Sequence, residues 1–242
     1  MRRLVVLAAV LLAACGGEPR SERSASSGLP FAGEPGTEFA PRYSPVPPPR
    51  GVAPQPSSLL HSQLANAGPV CGDSRIVGVE INRIRGTIAG CGIAEPVRVS
   101  KLAGVPLSTP IRVNCATAKA AADWIDGSVK RAAKQDVGVA IASIRPVASY
   151  ACRTRNHQRG ARLSEHAKGN AIDFASFTFA DGTTATVLNG FEASGGRGDF
   201  LRKVWKGACG PFGTVLGPRA DRFHQDHFHF DIARHTNGPY CR

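Results

Sequence analysis

After residue 67 the apolar residues fall into short runs of two different periods, and the changes of period mark the elements. Residues 76–81 alternate apolar and polar side chains, as a half-buried strand does. Residues 137–152 (VGVAIASIRPVASYAC) are rich in Val, Ile and Ala around Pro146, which predicts a strand with an interruption. Between them, residues 116–134 are alanine-rich with Ala121, Trp124, Ile125 and Val129 at helical spacing, so a helix is expected there, with Gly127 as a point where it can split. A second helix is predicted from Asp199 as N-cap to about Gly207, turning Phe200, Leu201, Val204, Trp205 and Ala208 to the core. Short strands at 171–177, 184–188 and 227–232 complete an α+β pattern.

Before residue 68 the pattern is of another kind. Arg2 and Arg3, an apolar run over 4–12 and small residues after it have the layout of a secretory signal peptide. The run ends Leu12-Ala13-Ala14-Cys15, which resembles a bacterial lipobox. That resemblance implies that Cys15 becomes the lipidated first residue of the mature chain, and Gly16 in place of Asp resembles lipoproteins sent on to the outer membrane. Residues 16–67 are rich in Pro, Ser, Gly and Ala, with Pro47-Pro48-Pro49, and predict a tether that does not fold alone. The expected organisation is therefore a leader over 1–15, a tether over 16–67 and a folded domain over 68–242.

Composition narrows the function classes. With 42% hydrophobic and 20% charged residues in 242, the chain can bury a sizeable core. Its net charge is +12; the tether's charges cancel, so removing Arg2 and Arg3 leaves +10 on the folded part. Such a balance favours a polyanionic neighbour. No phosphate-binding glycine loop and no nucleic-acid motif is present, and the N-terminal apolar run is too short for a polytopic membrane protein. Arg197-Gly198-Asp199 reads as a helix entry rather than an adhesion motif. Cys71, Cys91, Cys115, Cys152, Cys209 and Cys241 form an even set in an exported chain and predict up to three disulfides, with fifteen pairings open. A Cys209–Cys241 bridge is one hypothesis, because it pins the second of the two segments described next.

Four of the seven histidines lie in two short segments. In Ser164-Glu165-His166-Ala167-Lys168-Gly169-Asn170-Ala171-Ile172-Asp173, Gly169 allows a sharp turn and Asp173 sits between apolar Ile172 and Phe174. A carboxylate in such a run needs a partner or a metal, because burying it unpaired costs several kcal/mol. In His224-Gln225-Asp226-His227-Phe228-His229-Phe230-Asp231, a strand puts His227, His229 and Asp231 on one face and Phe228 and Phe230 on the other. Two histidines and one aspartate with a fourth position left to water make an open zinc site of the hydrolytic kind.

Together the segments resemble the LAS metallopeptidases, the group that contains bacterial D-alanyl-D-alanine carboxypeptidases and endopeptidases and hedgehog-type domains. The pattern S-x-H-x-x-G-x-A-x-D is met by Ser164, His166, Gly169, Ala171 and Asp173, and His227-x-His229 matches the second motif. The resemblance implies a disulfide-stabilised LAS/hedgehog-like fold, a small antiparallel sheet flanked by helices. It implies Zn²⁺ held by His166, Asp173 and His229, with His227 as the catalytic base. Many members carry Glu three residues before the zinc histidine; here Asp226 stands there and is expected on the strand face opposite His227. His224 is implied to orient water or substrate. Arg153 corresponds to an arginine that binds substrate or stabilises the oxyanion, with Arg155 as the nearby alternative.

More closely, the cysteine placement, Tyr150-Ala151-Cys152-Arg153, SEHAKGNAIDF, Leu216-Gly217-Pro218 and HQDHFHFD resemble the bacterial extensin-like C-terminal domain family over about 68–242. That family's name reflects similarity to plant extensins and carries no mechanism, so the chemistry has to come from the site. The implied activity is zinc-dependent hydrolysis of peptide bonds involving D-amino acids in peptidoglycan stem peptides, of the carboxypeptidase or endopeptidase type. The alternatives are a non-catalytic, zinc-stabilised module that binds cell wall or protein, and a scaffold for envelope assembly.

Overall fold

The computed structural model describes residues 67–242. The leader with Cys15 and the tether before residue 67 lie outside the described residues. Twelve strands follow: β1 (Gly68–Val70), β2 (Asp73–Glu80), β3 (Ile84–Arg85), β4 (Gly92–Ile93), β5 (Pro96–Leu102), β6 (Val105–Asn114), β7 (Ile141–Ala148), β8 (Ala171–Phe179), β9 (Thr184–Thr186), β10 (Thr214–Leu216), β11 (Phe228–Asp231) and β12 (Tyr240–Cys241). Ten of them form one sheet in the order β1-β2-β5-β6-β7-β8-β11-β10-β12, with β9 paired to β8. The architecture is α+β with few helices, but the sheet is large where a small one was expected. Strands β5 and β6 make much of the difference. Their apolar residues alternate, yet Pro96, Pro106 and Pro110 each argue against a strand. Pro96 opens β5, and Pro110 lies where β6 slips out of register with β5, so neither breaks the ladder.

Most of the pairing is antiparallel, but β10 and β12 run parallel, and so do β6 and β7. A parallel pair needs a long crossover, and residues 115–137 supply it as one continuous helix. Asn114 caps it, accepting from the Thr117 N–H at 2.9 Å. Gly127 does not split it. The helix widens there into a π-turn over Ile125–Val129, the Arg131 guanidinium donates to the Gly127 carbonyl, and a second π-turn over Ala133–Val137 ends at Gly138. Gly138 has a left-handed φ of 77°, so Val137 closes the helix and β7 begins four residues later than expected. The second helix, Gly196–Ala208, starts before Asp199; Gly195 occupies the cap position, and Asp199 lies in the first turn, bonded to Arg202. Residues 187–190 turn into a short helix instead of continuing β9.

These helices bury Trp124 against the sheet. Its ring lies 5.0 Å from Phe174 and 5.1 Å from Phe230, and its indole N–H donates to the Val204 carbonyl at 2.8 Å. Phe174 and Phe177 both reach this core although three residues apart, because a bulge in β8 faces Arg145 and Pro146 of β7. Pro146 lacks the N–H that regular pairing requires, so the interruption expected at that residue is the bulge. Across the next pair, Phe228 lies opposite Phe174 and Phe230 opposite Ile172, all four fully buried. The face of β8 and β11 turned away from the aromatic core carries Asp173 and His229, which lie directly opposite each other.

Three disulfides tie this frame: Cys71–Cys115, Cys91–Cys152 and Cys209–Cys241. The last is the bridge hypothesised from the sequence. Cys91–Cys152 fastens the β3–β4 hairpin to the segment that leads into Ser164 and His166. It closes a separation of 61 residues, which corresponds to about 4 kcal/mol of lost unfolded-chain entropy. Replacing Cys91 and Cys152 together by Ser is expected to lower the unfolding free energy by roughly that amount in a urea titration.

Candidate metal centre

His166 is presented by a short turn and Asp173 by the strand that follows it. Ser164 starts the turn, its Oγ accepting from the His166 N–H at 3.3 Å, and Glu165–Lys168 make one 3₁₀ turn. Gly169 ends the turn with φ 69°, and a Cβ there would strike Ile93. Its carbonyl accepts from the Asn114 N–H at 3.1 Å and from Thr117 Oγ at 3.0 Å, which joins the turn to the start of the long helix. Asn170 bonds Glu165 and Asn114, and β8 begins at Ala171. Every fixed position of the first motif therefore has a place in the frame: Ser164 caps the turn, Gly169 reverses the chain, Ala171 enters the strand, and His166 and Asp173 are the two side chains they position.

The second segment enters differently from the simple strand that was expected. β11 begins at Phe228, so His229 and Asp231 lie on the strand while His224, Asp226 and His227 lie in the loop before it. Asp226 does not turn to an opposite face: strand alternation has no hold on a loop residue, and its Oδ1 accepts from His227 Nδ1–H at 2.8 Å. His224 is held in the same way by Asp221 at 2.7 Å.

The three sequence-predicted ligands come together. His166 Nε2 is 3.1 Å from Asp173 Oδ1 and 3.1 Å from His229 Nδ1, and His229 Nδ1 is 2.9 Å from Asp173 Oδ1. His166 Nδ1–H donates to the Ser149 carbonyl at 2.6 Å, so its Nε2 bears a lone pair toward the cluster. His229 Nε2–H donates to Asp231 Oδ2 at 3.1 Å, which turns its Nδ1 inward. Three basic atoms thus converge and need a proton or a cation among them. Ligands about 2.0–2.1 Å from a tetrahedral zinc stand about 3.3 Å apart, close to the separations here, and two imidazoles with a carboxylate are a zinc-type set. The donor set fits the metal.

The centre forms the floor of a cavity of about 650 Å³. Its walls include Arg153, Arg155, His157, Phe223 and Tyr240, and all six described histidines line it. His227 stands beside the triad with Nε2 3.8 Å from Asp173 Oδ2, and the His224 ring is 5.3 Å from His227 and 5.7 Å from His229. Both Arg153 and Arg155 reach the cavity, so position alone does not choose between them.

The family model described as the extensin-like protein C-terminus matches residues 73–242. The chain belongs to this family. Neither a curated protein nor a solved structure matches it. The matched stretch contains every residue of the centre, and the name adds no chemistry to them.

Electrostatics in the extensin-like domain follow from burial and contact. Burial pushes the Asp173 carboxyl up, but its close contacts with the His166 and His229 imidazoles outweigh it and hold the group far below the usual carboxylate range. Burial pushes His229 down, but Asp173 and Asp231 outweigh it and raise the imidazole to about 9. Burial lowers His224 despite its bond to Asp221.

Sequence reasoning did not place Asp231, Ser149 or Thr214 in the centre. Asp231 is buried, accepts from the Ala233 N–H at 2.8 Å as well as from His229, and is further bonded by Thr214. Thr214 Oγ lies 2.9 Å from His235 Nε2, which continues the chain to the cavity rim. The signal for Asp231 was present as the third term of H-x-H-x-D. Ser149 acts through its carbonyl and Thr214 sits on a distant strand, so neither carried a signal.

Two outcomes follow for the metal-free and metal-loaded protein. His229 is raised above its usual 6.5, so its stabilisation is complete below that pH and is lost as pH rises toward about 9. His224, lowered, acts in the opposite sense but only below 6.5. Urea unfolding of the metal-free protein is therefore expected at lower urea at pH 9 than at 6.5, and His229→Ala should flatten that slope. Asp231→Ala removes the acceptor that orients His229, and competition with a chromophoric chelator is expected to show zinc held about 10–100-fold more weakly.

Proposed function

We propose that this extensin-like domain is a zinc-dependent peptidase of the LAS type that hydrolyses peptide bonds involving D-amino acids in peptidoglycan stem peptides. The observation that carries the proposal is the convergence of His166, Asp173 and His229 on the floor of an open cavity, with His227 beside them. In this reading the domain works in the cell envelope, held by a lipid on Cys15 to a membrane facing the periplasm, the outer membrane by preference. Its partners are wall peptides and lipid, not nucleic acid.

Each residue then has a chemical task. His166 Nε2, Asp173 Oδ1 and His229 Nδ1 hold the metal, and Ser149 and Asp231 fix the two rings by their other nitrogens. Bound zinc supplies Lewis-acid polarisation of water and of the scissile carbonyl. His227, its Nδ1–H committed to Asp226, offers Nε2 as the base that takes the water's proton and later returns it to the leaving amine. Arg153 at the wall neutralises the oxygen that becomes negative. His224, held by Asp221 and lying beside both His227 and His229, orients water or substrate.

Mass spectrometry of peptidoglycan incubated with the zinc-loaded protein tests this directly. A shortened stem peptide or an opened cross-link is expected, absent after chelation and absent with His229→Ala. His227→Ala should keep its zinc and lose about 10²–10⁴-fold in turnover. Intact wall peptides from protein that holds zinc and stays on wall material would mean a binding module instead.

A further inference from the structure

The segment between Cys152 and Ser164 carries Arg153, Arg155, His157, Arg159 and Arg162 and not one carboxylate. It forms a closed loop. Thr154 and Leu163 pair across its base, the Ser164 N–H donates to the Arg153 carbonyl at 3.0 Å, and the Arg155 N–H donates to the Arg162 carbonyl at 2.9 Å. The Cys91–Cys152 disulfide anchors one end of the loop, and the turn bearing His166 follows the other. Within it Asn156 and His157 both hold left-handed backbone, at φ 52° and 56°, a conformation unusual for two consecutive residues other than glycine. The reversal is secured by the His157 N–H on the Thr154 carbonyl at 3.2 Å and by Thr154 Oγ on the Gln158 carbonyl at 2.7 Å. Arg155 and His157 thereby line the cavity, while Arg159 and Arg162 lie exposed further along the loop.

The arginines of this loop differ from three others in the domain. Arg75, Arg202 and Arg219 are each paired with a carboxylate, whereas Arg155, Arg159 and Arg162 form no ion pair among the described residues. The acids lining the cavity cannot serve them. Glu165 is bonded to Lys168 and Asn170, Asp173 to His166 and His229, Asp221 to His224, and Asp231 to His229. An unneutralised, pre-shaped cationic loop at the mouth of a site attracts anions and holds planar carboxylates well through guanidinium.

We propose that the loop 153–162 is a second recognition element, a lip in which Arg155, Arg159 and Arg162 bind carboxylates of the substrate away from the bond over the metal centre. The proposal rests on the peptidase reading for the substrate's identity and adds its chemical class: a peptide with more than one free carboxylate. Arg153 keeps its separate task.

The test uses a synthetic D-Ala-D-Ala-terminated wall peptide with free carboxylates, and the same peptide with those carboxylates amidated. Binding is measured by calorimetric titration of the full metal-free chain, and hydrolysis is followed separately with zinc. The parent protein should bind the free-acid peptide about tenfold more tightly than the amidated one, and added salt should erase the difference. The variant Arg155→Gln/Arg159→Gln/Arg162→Gln changes exposed side chains; it should keep its zinc affinity and lose that tenfold preference. Equal binding of the two peptides by the parent, or an unchanged preference in the triple variant, overturns the lip. If the preference is present and no bond is cut with zinc, the lip stands and the peptidase reading fails. If both peptides are cut equally well and bound equally, the reverse holds. Inorganic phosphate as competitor separates carboxylate from general anion recognition: displacement of the free-acid peptide at equal concentration counts against the carboxylate assignment.

Discussion

A carboxylate that is 4% exposed, placed between two imidazoles on the face of the sheet turned away from the aromatic core, sets the terms for everything around it. Asp173 unpaired at that depth would cost several kcal/mol, so the fold has to deliver His166 from one side and His229 from the other. Delivery from the neighbouring strand depends on register. One residue of slip between β8 and β11 would turn Asp173 into the aromatic core and expose a phenylalanine in its place. Phe174, Phe228, Phe230 and Ile172, interlocked beneath Trp124, make that slip prohibitive, so the apolar face of the two strands specifies the polar one.

The same logic extends outward through the remaining rings. Each histidine around the cavity except His157 has one nitrogen committed to an oxygen: Ser149 for His166, Asp221 for His224, Asp226 for His227, Asp231 for His229 and Thr214 for His235. A histidine so held has a settled ring orientation and a settled direction for its other nitrogen. The polar floor is thus preorganised before any ligand arrives, which is what an electrostatic site requires.

Much of the centre was legible because its residues act through side chains at short spacing. The turn and strand from Ser164 to Asp173 could be read from one glycine, one aspartate and the apolar residues between them. The supporting partners were not legible for three different reasons. Ser149 contributes a backbone atom, Asp226 lies in a loop where period-2 reasoning does not apply, and Thr214 comes close only through strand pairing. On the fold, the helices were visible in their apolar spacing, but the sheet was underestimated because prolines in β5 and β6 argue locally against strands that tertiary pairing accommodates. The parallel contact of β6 and β7 is a long-range fact with no local mark.

The Cys209–Cys241 bridge has a consequence for durability. It encloses His224, His227, His229 and Asp231, together with the exposed stretch around Phe223, in one covalent ring. A protease that nicks the ring at an exposed peptide bond leaves the two pieces joined through the disulfide. Strand β11 would stay threaded between β8 and β10, and the cut ends would have nowhere to go. Half of the polar floor is thereby insured against a single scission.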